Sequence, residues 1–387
     1  MKKVVTMFVA LCLILSLYSG AAFAEEKKTE LADDSKSAIL IERDTGTVLY
    51  EKNKDEKYSP ASMTKIMTML LIMEAIDTGK IKMDEKVTTS EYAASMGGSQ
   101  IFLEPGEEMM VKELLLAMAI GSANDASVAL AEKIAGSEEA FVEMMNDRVK
   151  ELGLKNTHFK NTTGLPVEDH YSTANDMALM AKELLKHEEI TDFTKNYESY
   201  LREDTDKKFW LVNTNKLVKF YPGVDGLKTG FTSEAKYCLT ATAKKDGMRV
   251  IAVVFGAPTS KSRNAQITKM LDYSFSQYAT HPLYEKGKAL EKAKVSKGDK
   301  KYIEAETGES VSVLTKKGEK LDKLTEEIEL NEHIKAPLKK GEKIGVLKVK
   351  KDGKELVEVP LVAKENVKKA SWWHLYKRAF GMFTKTD

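Results

Sequence analysis

The chain has 387 residues, with 60 Lys and Arg against 59 Asp and Glu, for a formal net charge of +1. So even a balance supplies no long-range field for nucleic acid, and the sequence has no Gly-rich phosphate loop of the P-loop or dinucleotide kind. The six histidines are scattered with no His-Glu-x-x-His pair, which argues against a zinc enzyme, and the length favours two folded domains.

Residues 1–24 read as an export signal: Lys2 and Lys3, then an apolar run from Val4 to Tyr18, then the small-residue cleavage site Ala22-Phe23-Ala24. The run is short for a membrane span. Cleavage after Ala24 leaves one cysteine, Cys238, so no internal disulfide can form and the fold must rest on its cores. Residues 37–52 have the pattern of a hairpin, Ala38–Ile41 and Thr47–Tyr50 about Asp44-Thr45-Gly46.

Pro60 then opens a helix that is apolar on nearly every side past Lys65, the pattern of a helix buried in mid-domain. Its first turn carries Ser62 and Lys65, three residues apart and therefore on one face. A hydroxyl, an amine and the unpaired N–H groups of a helix start are the parts of a covalent acyl-transfer site. A chance Ser and Lys at a solvated helix start would look the same on these residues alone.

A polar stretch, residues 88–108, is punctuated by Gly97-Gly98 and Pro105-Gly106. Val111 to Ile120 is a second apolar helix, and helices over about 126–135 and 137–152 follow. Ser122 and Asn124 lie in the tight link between, where singly they read as caps. Residues 156–176 are turn-rich, and Ser172-Thr173-Ala174-Asn175-Asp176 starts a helix through Leu185. Strands are expected over 224–231, 237–243 and 248–255, the last two joined by Asp246-Gly247, and a helix over 263–278 closes this part. The expected fold class is α+β: an antiparallel sheet with helices on its faces and an all-helical lobe, one domain over residues 25–280.

From about residue 290 the composition shifts to Lys and Glu with short alternating apolar pairs, which predicts a small β-sandwich domain over 290–365. The tail, 366–387, is expected to be an amphipathic helix. Trp372, Trp373, Tyr376, Ala379, Phe380 and Phe383 share one face, and His374, Lys377 and Arg378 lie opposite. Interfacial aromatics and basic residues suit the surface of an anionic membrane; a tail packed on its own protein, or a dimer contact, is the alternative.

Three motifs stand in order: Ser62-Met63-Thr64-Lys65, Ser122-Ala123-Asn124 and Lys228-Thr229-Gly230. Each is weak alone, since Ser233-Glu234-Ala235-Lys236 fits the first pattern and Ser262-Arg263-Asn264 the second. These decoys fail on order and setting. The ordered trio is the signature of penicillin-recognising serine enzymes. The chain resembles, nearly end to end, the low-molecular-mass penicillin-binding proteins of the D-alanyl-D-alanine carboxypeptidase type, peptidase family S11. Gly121-Ser122-Ala123-Asn124-Asp125-Ala126, Tyr171-Ser172-Thr173-Ala174-Asn175-Asp176 and Gly223-Val224-Asp225-Gly226-Leu227 extend the likeness.

The resemblance implies a serine transpeptidase-like fold and no cofactor or metal. It implies peptidoglycan stem peptides ending in D-Ala-D-Ala as substrate and β-lactams as covalent inhibitors. The export signal and the tail together lead to the expectation of an exported protein on the outer face of the cytoplasmic membrane, with partial secretion as the alternative. Ser62 would be the nucleophile and Lys65 its base, kept neutral by burial and by the second cation Lys228. Ser122 would relay a proton and Asn124 would hold the peptide backbone. The N–H groups of Ser62 and Phe231, the residue after Gly230, would form the oxyanion hole, and Thr229 with Arg263 would take the terminal carboxylate; Arg263 as a surface residue at a helix start is the alternative. A β-lactamase shares the trio but needs a glutamate for deacylation; Glu198 followed by Arg202 does not supply the Glu-x-x-x-Asn arrangement. A non-catalytic penicillin sensor with a blocked site is the reading from another class.

Overall fold

The computed structural model describes residues 30–372, so residues 1–24, expected to be an export signal, and nearly all of the tail expected to be an amphipathic helix lie outside the described residues. The hairpin at 37–52 forms β1 (Ser37–Glu42) and β2 (Val48–Lys52). All six residues of β1 are buried. A local hairpin alone would leave its outer edge in water, but here β1 also pairs along its length with a strand more than 200 positions later.

The buried helix is Lys65–Asp77, with every residue from Lys65 to Met73 buried. It lies between the sheet and the helical lobe and packs against the helices Asn124–Ala135 and Ala174–Leu184. Each Met, Leu or Ile so enclosed stabilises the fold by about 1.5–3 kcal/mol. The short strands β3 (Lys86–Thr88) and β4 (Glu108–Met110) pair at the base of the polar stretch. The helix expected over 111–120 is α-helical only to Leu116; Ala117–Gly121 widens into a π turn that delivers the chain to Ser122. Thr173 caps the Ala174–Leu184 helix by accepting the Asp176 N–H.

The hairpin of β5 (Glu198–Leu201) and β6 (Phe209–Val212) was not legible in the sequence, because four-residue strands carry too short an alternation. The long strands β7 (Val224–Thr232), β8 (Lys236–Lys245) and β9 (Met248–Ala257) complete a five-stranded antiparallel sheet in the order β2-β1-β9-β8-β7. Asp246 and Gly247 have φ of 50° and 82°, as a two-residue hairpin turn requires. The closing helix is Ser260–Gln277, three residues earlier than expected at its start, because Thr259 accepts the Ser262 N–H as its cap.

The chain re-enters β structure at once. β10 (Tyr278–Tyr284) pairs with β13 (Val311–Lys316). β11 (Ala289–Lys294), β12 (Tyr302–Thr307), β14 (Leu324–Leu330), β15 (Lys343–Lys351) and β16 (Lys354–Ala363) form a sheet in the order β11-β12-β16-β15-β14. Pairing thus starts at 278 instead of 290. It also runs past 365, through bridges of Val367 to Leu338 and Lys369 to Gly298. The Ser312 hydroxyl donates to Asp44 at 3.1 Å, and the Lys317 amine to the Phe275 carbonyl at 2.6 Å, tying this part to the catalytic portion.

Candidate active site

Ser62 sits in a 3-10 turn, Ala61–Thr64, that runs straight into the buried helix. Ala61 is held at φ +46°, a conformation an alanine rarely takes. Two glycines press on this turn. A β-carbon on Gly164 would lie 1.8 Å from the Ala61 carbonyl oxygen, and one on Gly230 would lie 2.7 Å from the Pro60 carbonyl oxygen. The glycine of Lys228-Thr229-Gly230 therefore lets β7 close against the serine's own turn. The Ser62 N–H, in the first turn, has no acceptor inside the helix.

Lys65 is 0 % exposed. Its amine donates to Asn124 Oδ1 at 2.6 Å and to the Thr163 carbonyl at 2.8 Å, and lies 3.4 Å from Ser62 Oγ. Burial, and then the charge of Lys228, hold this amine well below the ordinary lysine range; Asp125 and Glu138 oppose the shift. Those two carboxylates are engaged elsewhere. Asp125 accepts the N–H groups of Ile101, Leu103 and Ala126. Glu138 accepts the Thr162 N–H and hydroxyl and the Tyr92 hydroxyl. Lys65 consequently touches only neutral groups, which is what an amine acting as a base requires.

The Asn124 amide spans the site, its oxygen on Lys65 and its nitrogen donating to the Gly97 carbonyl at 2.6 Å. It anchors the Lys65 amine as well as the polar loop, a task that the expectation of backbone holding alone did not include; one amide hydrogen is left for a ligand. Ser122 is buried at φ +64°, directly after the π turn, and no hydrogen bond joins its hydroxyl to Lys65 or Lys228 in this state.

Lys228 is buried on β7 with its amine on the Thr229 carbonyl at 3.1 Å. Burial first, and the Arg263 charge second, bring it down to about 7. The Thr229 hydroxyl donates to Thr214 at 2.7 Å. Arg263 projects from the start of the Ser260–Gln277 helix, buried, and donates through Nε and Nη2 to Asn264 at 3.0 and 2.9 Å. Burial lowers its guanidinium to about 10, and among the described residues no carboxylate pairs with it. Phe231 stands 54 % exposed at the end of β7, its ring 4.5 Å from that of Tyr237. Among the described residues no three His, Cys, Asp or Glu side chains converge as metal ligands would.

Residues 23–259 match the D-alanyl-D-alanine carboxypeptidase family, peptidase S11, and residues 278–369 match the C-terminal domain of penicillin-binding protein 5. The chain belongs to the S11 D-alanyl-D-alanine carboxypeptidases. It is 63% identical over 376 residues to the D-alanyl-D-alanine carboxypeptidase DacF of Bacillus subtilis, covering 96% of this chain and 97% of that one. It is 39% identical over 274 residues to DacA of Escherichia coli, covering 69% and 67%. Penicillin-binding protein 5 of Haemophilus influenzae superposes with a TM-score of 0.67 at 32% identity, over 87% of this chain and 98% of that one. Penicillin-binding protein D2 of Listeria monocytogenes, solved with ampicillin bound, superposes at 0.54 with 33% identity, over 62% and 98%.

Several parts of this carboxypeptidase's site escaped sequence reasoning. The carbonyls of Thr163 and Gly97 act through the backbone, which no residue type announces; only the turn character of 161–164 was visible. Thr214 follows the unrecognised β5–β6 hairpin. His170 supports Thr64 beside Lys65: its Nδ1 accepts the Lys160 N–H, so Nε2 carries the hydrogen and donates to the Thr64 hydroxyl at 2.7 Å. Burial lowers this imidazole to about 4. Glu198 instead accepts from Trp210, and Arg202 pairs with Glu107, so neither is placed for the deacylating role of a β-lactamase glutamate.

Proposed function

We propose that this carboxypeptidase removes the terminal D-alanine of peptidoglycan stem pentapeptides through an acyl-enzyme on Ser62, and so limits cross-linking of the wall. The observation that carries the reading is the Lys65 amine, wholly buried, without a carboxylate partner among the described residues and 3.4 Å from Ser62 Oγ. Ser62 Oγ attacks the carbonyl carbon of the penultimate D-alanine while its proton passes to neutral Lys65. The N–H groups of Ser62 and Phe231 hold the oxyanion. As the C–N bond breaks, the leaving nitrogen takes that proton by way of the Ser122 hydroxyl. Water then attacks the ester and Ser62 recovers its proton, the same amine serving as base.

Lys228 and Arg263 supply donors for the terminal carboxylate, joined by the Thr229 hydroxyl once its hydrogen swings away from Thr214, and Arg263 is a buried cation that no carboxylate of the described residues pairs with. β7 is the edge strand of its sheet, so a peptide can lie along it by backbone pairing. A β-lactam offers the same carbonyl and carboxylate, and the ampicillin-bound Listeria relative supports acylation of Ser62 by penicillins. We assign the work to the outer face of the cytoplasmic membrane, reached through the 1–24 signal and held by the aromatic tail.

The test is to follow D-alanine release from a D-Ala-D-Ala peptide and covalent labelling by a penicillin in parallel. Both should be lost together in Ser62→Ala; an adduct mapped to Ser233 would refute the assignment. A protein with a sterically blocked site would show neither activity. For the tail, full-length protein should sediment with anionic vesicles at low salt and a chain ending at Ala370 should not.

A further inference from the structure

A neutral amine carries two hydrogens and one lone pair. Asn124 Oδ1 at 2.6 Å and the Thr163 carbonyl at 2.8 Å take both hydrogens of Lys65, which leaves the lone pair for Ser62 Oγ at 3.4 Å. The aim of the base is therefore set by two acceptors, and each is held by a further contact. Asn124 is pinned by its Nδ2 on the Gly97 carbonyl at 2.6 Å. The Thr163 carbonyl follows Thr162, wholly buried, whose N–H and hydroxyl donate to Glu138 Oε1 at 2.9 and 2.8 Å. The Thr162 carbonyl in turn accepts the hydroxyls of Thr68 and Ser127.

Glu138 reaches the other acceptor too. Its Oε2 accepts the Tyr92 hydroxyl at 2.6 Å, and Tyr92 lies on the short helix Glu91–Ala94, which runs by Ser95 and Met96 to Gly97. One buried carboxylate thus joins the segments that carry Gly97 and Thr163, and a ring closes from Lys65 through Asn124, Gly97, Tyr92, Glu138 and Thr162 back to Lys65. A glutamine could make the same bonds without the cost of burying a charge. What the charge adds is a field at Lys65. The charged groups around that amine are Lys228 on β7, Asp125 on the Asn124–Ala135 helix and Glu138 at the start of the Glu138–Glu151 helix; Lys228 lowers the amine and the two carboxylates raise it. His170, bonded to Thr64, titrates only near 4.

We infer that Glu138 is a positioning residue of the acyl transfer: with Tyr92 and Thr162 it aims the Lys65 lone pair at Ser62, and it supplies a negative charge to the surroundings of that amine. The inference rests on the acyl-enzyme reading of Ser62.

The test is the second-order rate of penicillin acylation against pH, measured on the full chain. Glu138→Gln keeps both bonds to Thr162 through its amide oxygen and can donate to the Tyr92 oxygen, but it loses the charge. It should retain most of the plateau rate, while its acid limb moves to lower pH because the amine has lost a carboxylate that raised it. Glu138→Ala frees Thr162, so its plateau should fall by about 10²-fold, the cost of misplacing a reacting group by an ångström. Tyr92→Phe cuts only the tie to the Gly97 segment, so its plateau should fall by about tenfold, the worth of one hydrogen bond to a charged group, with the acid limb unmoved. Thermal unfolding gives the folded fraction to which each rate is referred. If Glu138→Ala does not fold, the other two variants decide. An unmoved acid limb in Glu138→Gln, or a wild-type plateau in Tyr92→Phe or in folded Glu138→Ala, would overturn the assignment. A wild-type chain that penicillin does not label on Ser62 would instead defeat the acyl-enzyme reading, and this inference with it.

Discussion

The surroundings of Ser62 and the β domain after residue 278 solve the same problem, how to bury a core, with opposite chemistry. Around Ser62, Lys65, Asp125, Glu138, Lys228 and Arg263 are all buried among Met, Leu and Ile. In the β domain the core is Val, Leu, Ile and Ala, and no Lys, Arg, Asp or Glu of its described residues is buried. Its charges meet on the surface, as in Lys348 with Glu329 at 2.7 Å and Lys351 with Glu319 at 2.6 Å. Taking an ion out of water costs several kcal/mol even after relaxation. A region that carries five such groups, two of them amines pulled down by burial, is organised for chemistry; a region that carries none is organised for shape.

The sharpest way to break this contrast is at the amines. Ser62→Ala and Lys65→Arg should each lower acylation by at least about 10³-fold, the first by removing the nucleophile and the second because a guanidinium cannot act as base near neutral pH. Lys228→Arg, which keeps the charge, should cost only about tenfold. Penicillin-labelling rates read all three, and equal losses for the two lysine changes would erase the division of labour between them.

Glycine substitutions extend the comparison to the backbone. Gly164→Ala forces a β-carbon to 1.8 Å from the Ala61 carbonyl, so it should destabilise by more than about 3 kcal/mol and slow acylation in whatever fraction folds. At Gly341 in the β domain, φ is +83° but a β-carbon meets nothing within 4 Å, so Gly341→Ala should cost only the left-handed strain, about 1 kcal/mol. Urea unfolding of both variants decides it; similar losses would mean the Ser62 turn can yield.

Stability against pH should depend on the catalytic region. His170 titrates near 4 in the fold and at 6.5 when unfolded, so below 6.5 the unfolded chain binds the extra proton. The contribution is complete above 6.5 and is lost as pH falls to about 4, at most about 3 kcal/mol. His170→Gln should flatten that part of the stability curve, as followed by melting temperature.

Turnover should follow a bell. It rises as Lys65 sheds its proton and falls above about 7 as Lys228 loses its charge, with apparent values that belong to the pair. Lys228→Met removes a neighbouring positive charge, so the Lys65 pKa rises and the acid limb should move to higher pH. An unmoved limb in pre-steady-state acylation would show that burial alone sets the base. The smallest effect is expected at the surface of the β domain, where Lys348→Gln should leave the melting temperature unchanged.

The sequence by itself determined whatever depends on neighbours a few positions away. The apolar run after Lys65 can only be a buried helix, Asp246-Gly247 can only be a tight turn, and the order of the three motifs identifies the enzyme class. Tertiary structure decided the rest, because it sets distances across long separations. Lys65 meets Asn124 from 59 positions away and the Thr163 carbonyl from 98. β1 becomes an interior strand because β9 arrives beside it, and the helix expected through Ile120 opens into a π turn before Ser122. None of these contacts has a local signal. Burial is likewise a property of the packed chain, and it is burial that pulls the amines of Lys65 and Lys228 down. The sequence could name the two lysines; only the fold could pull their amines below the ordinary lysine range.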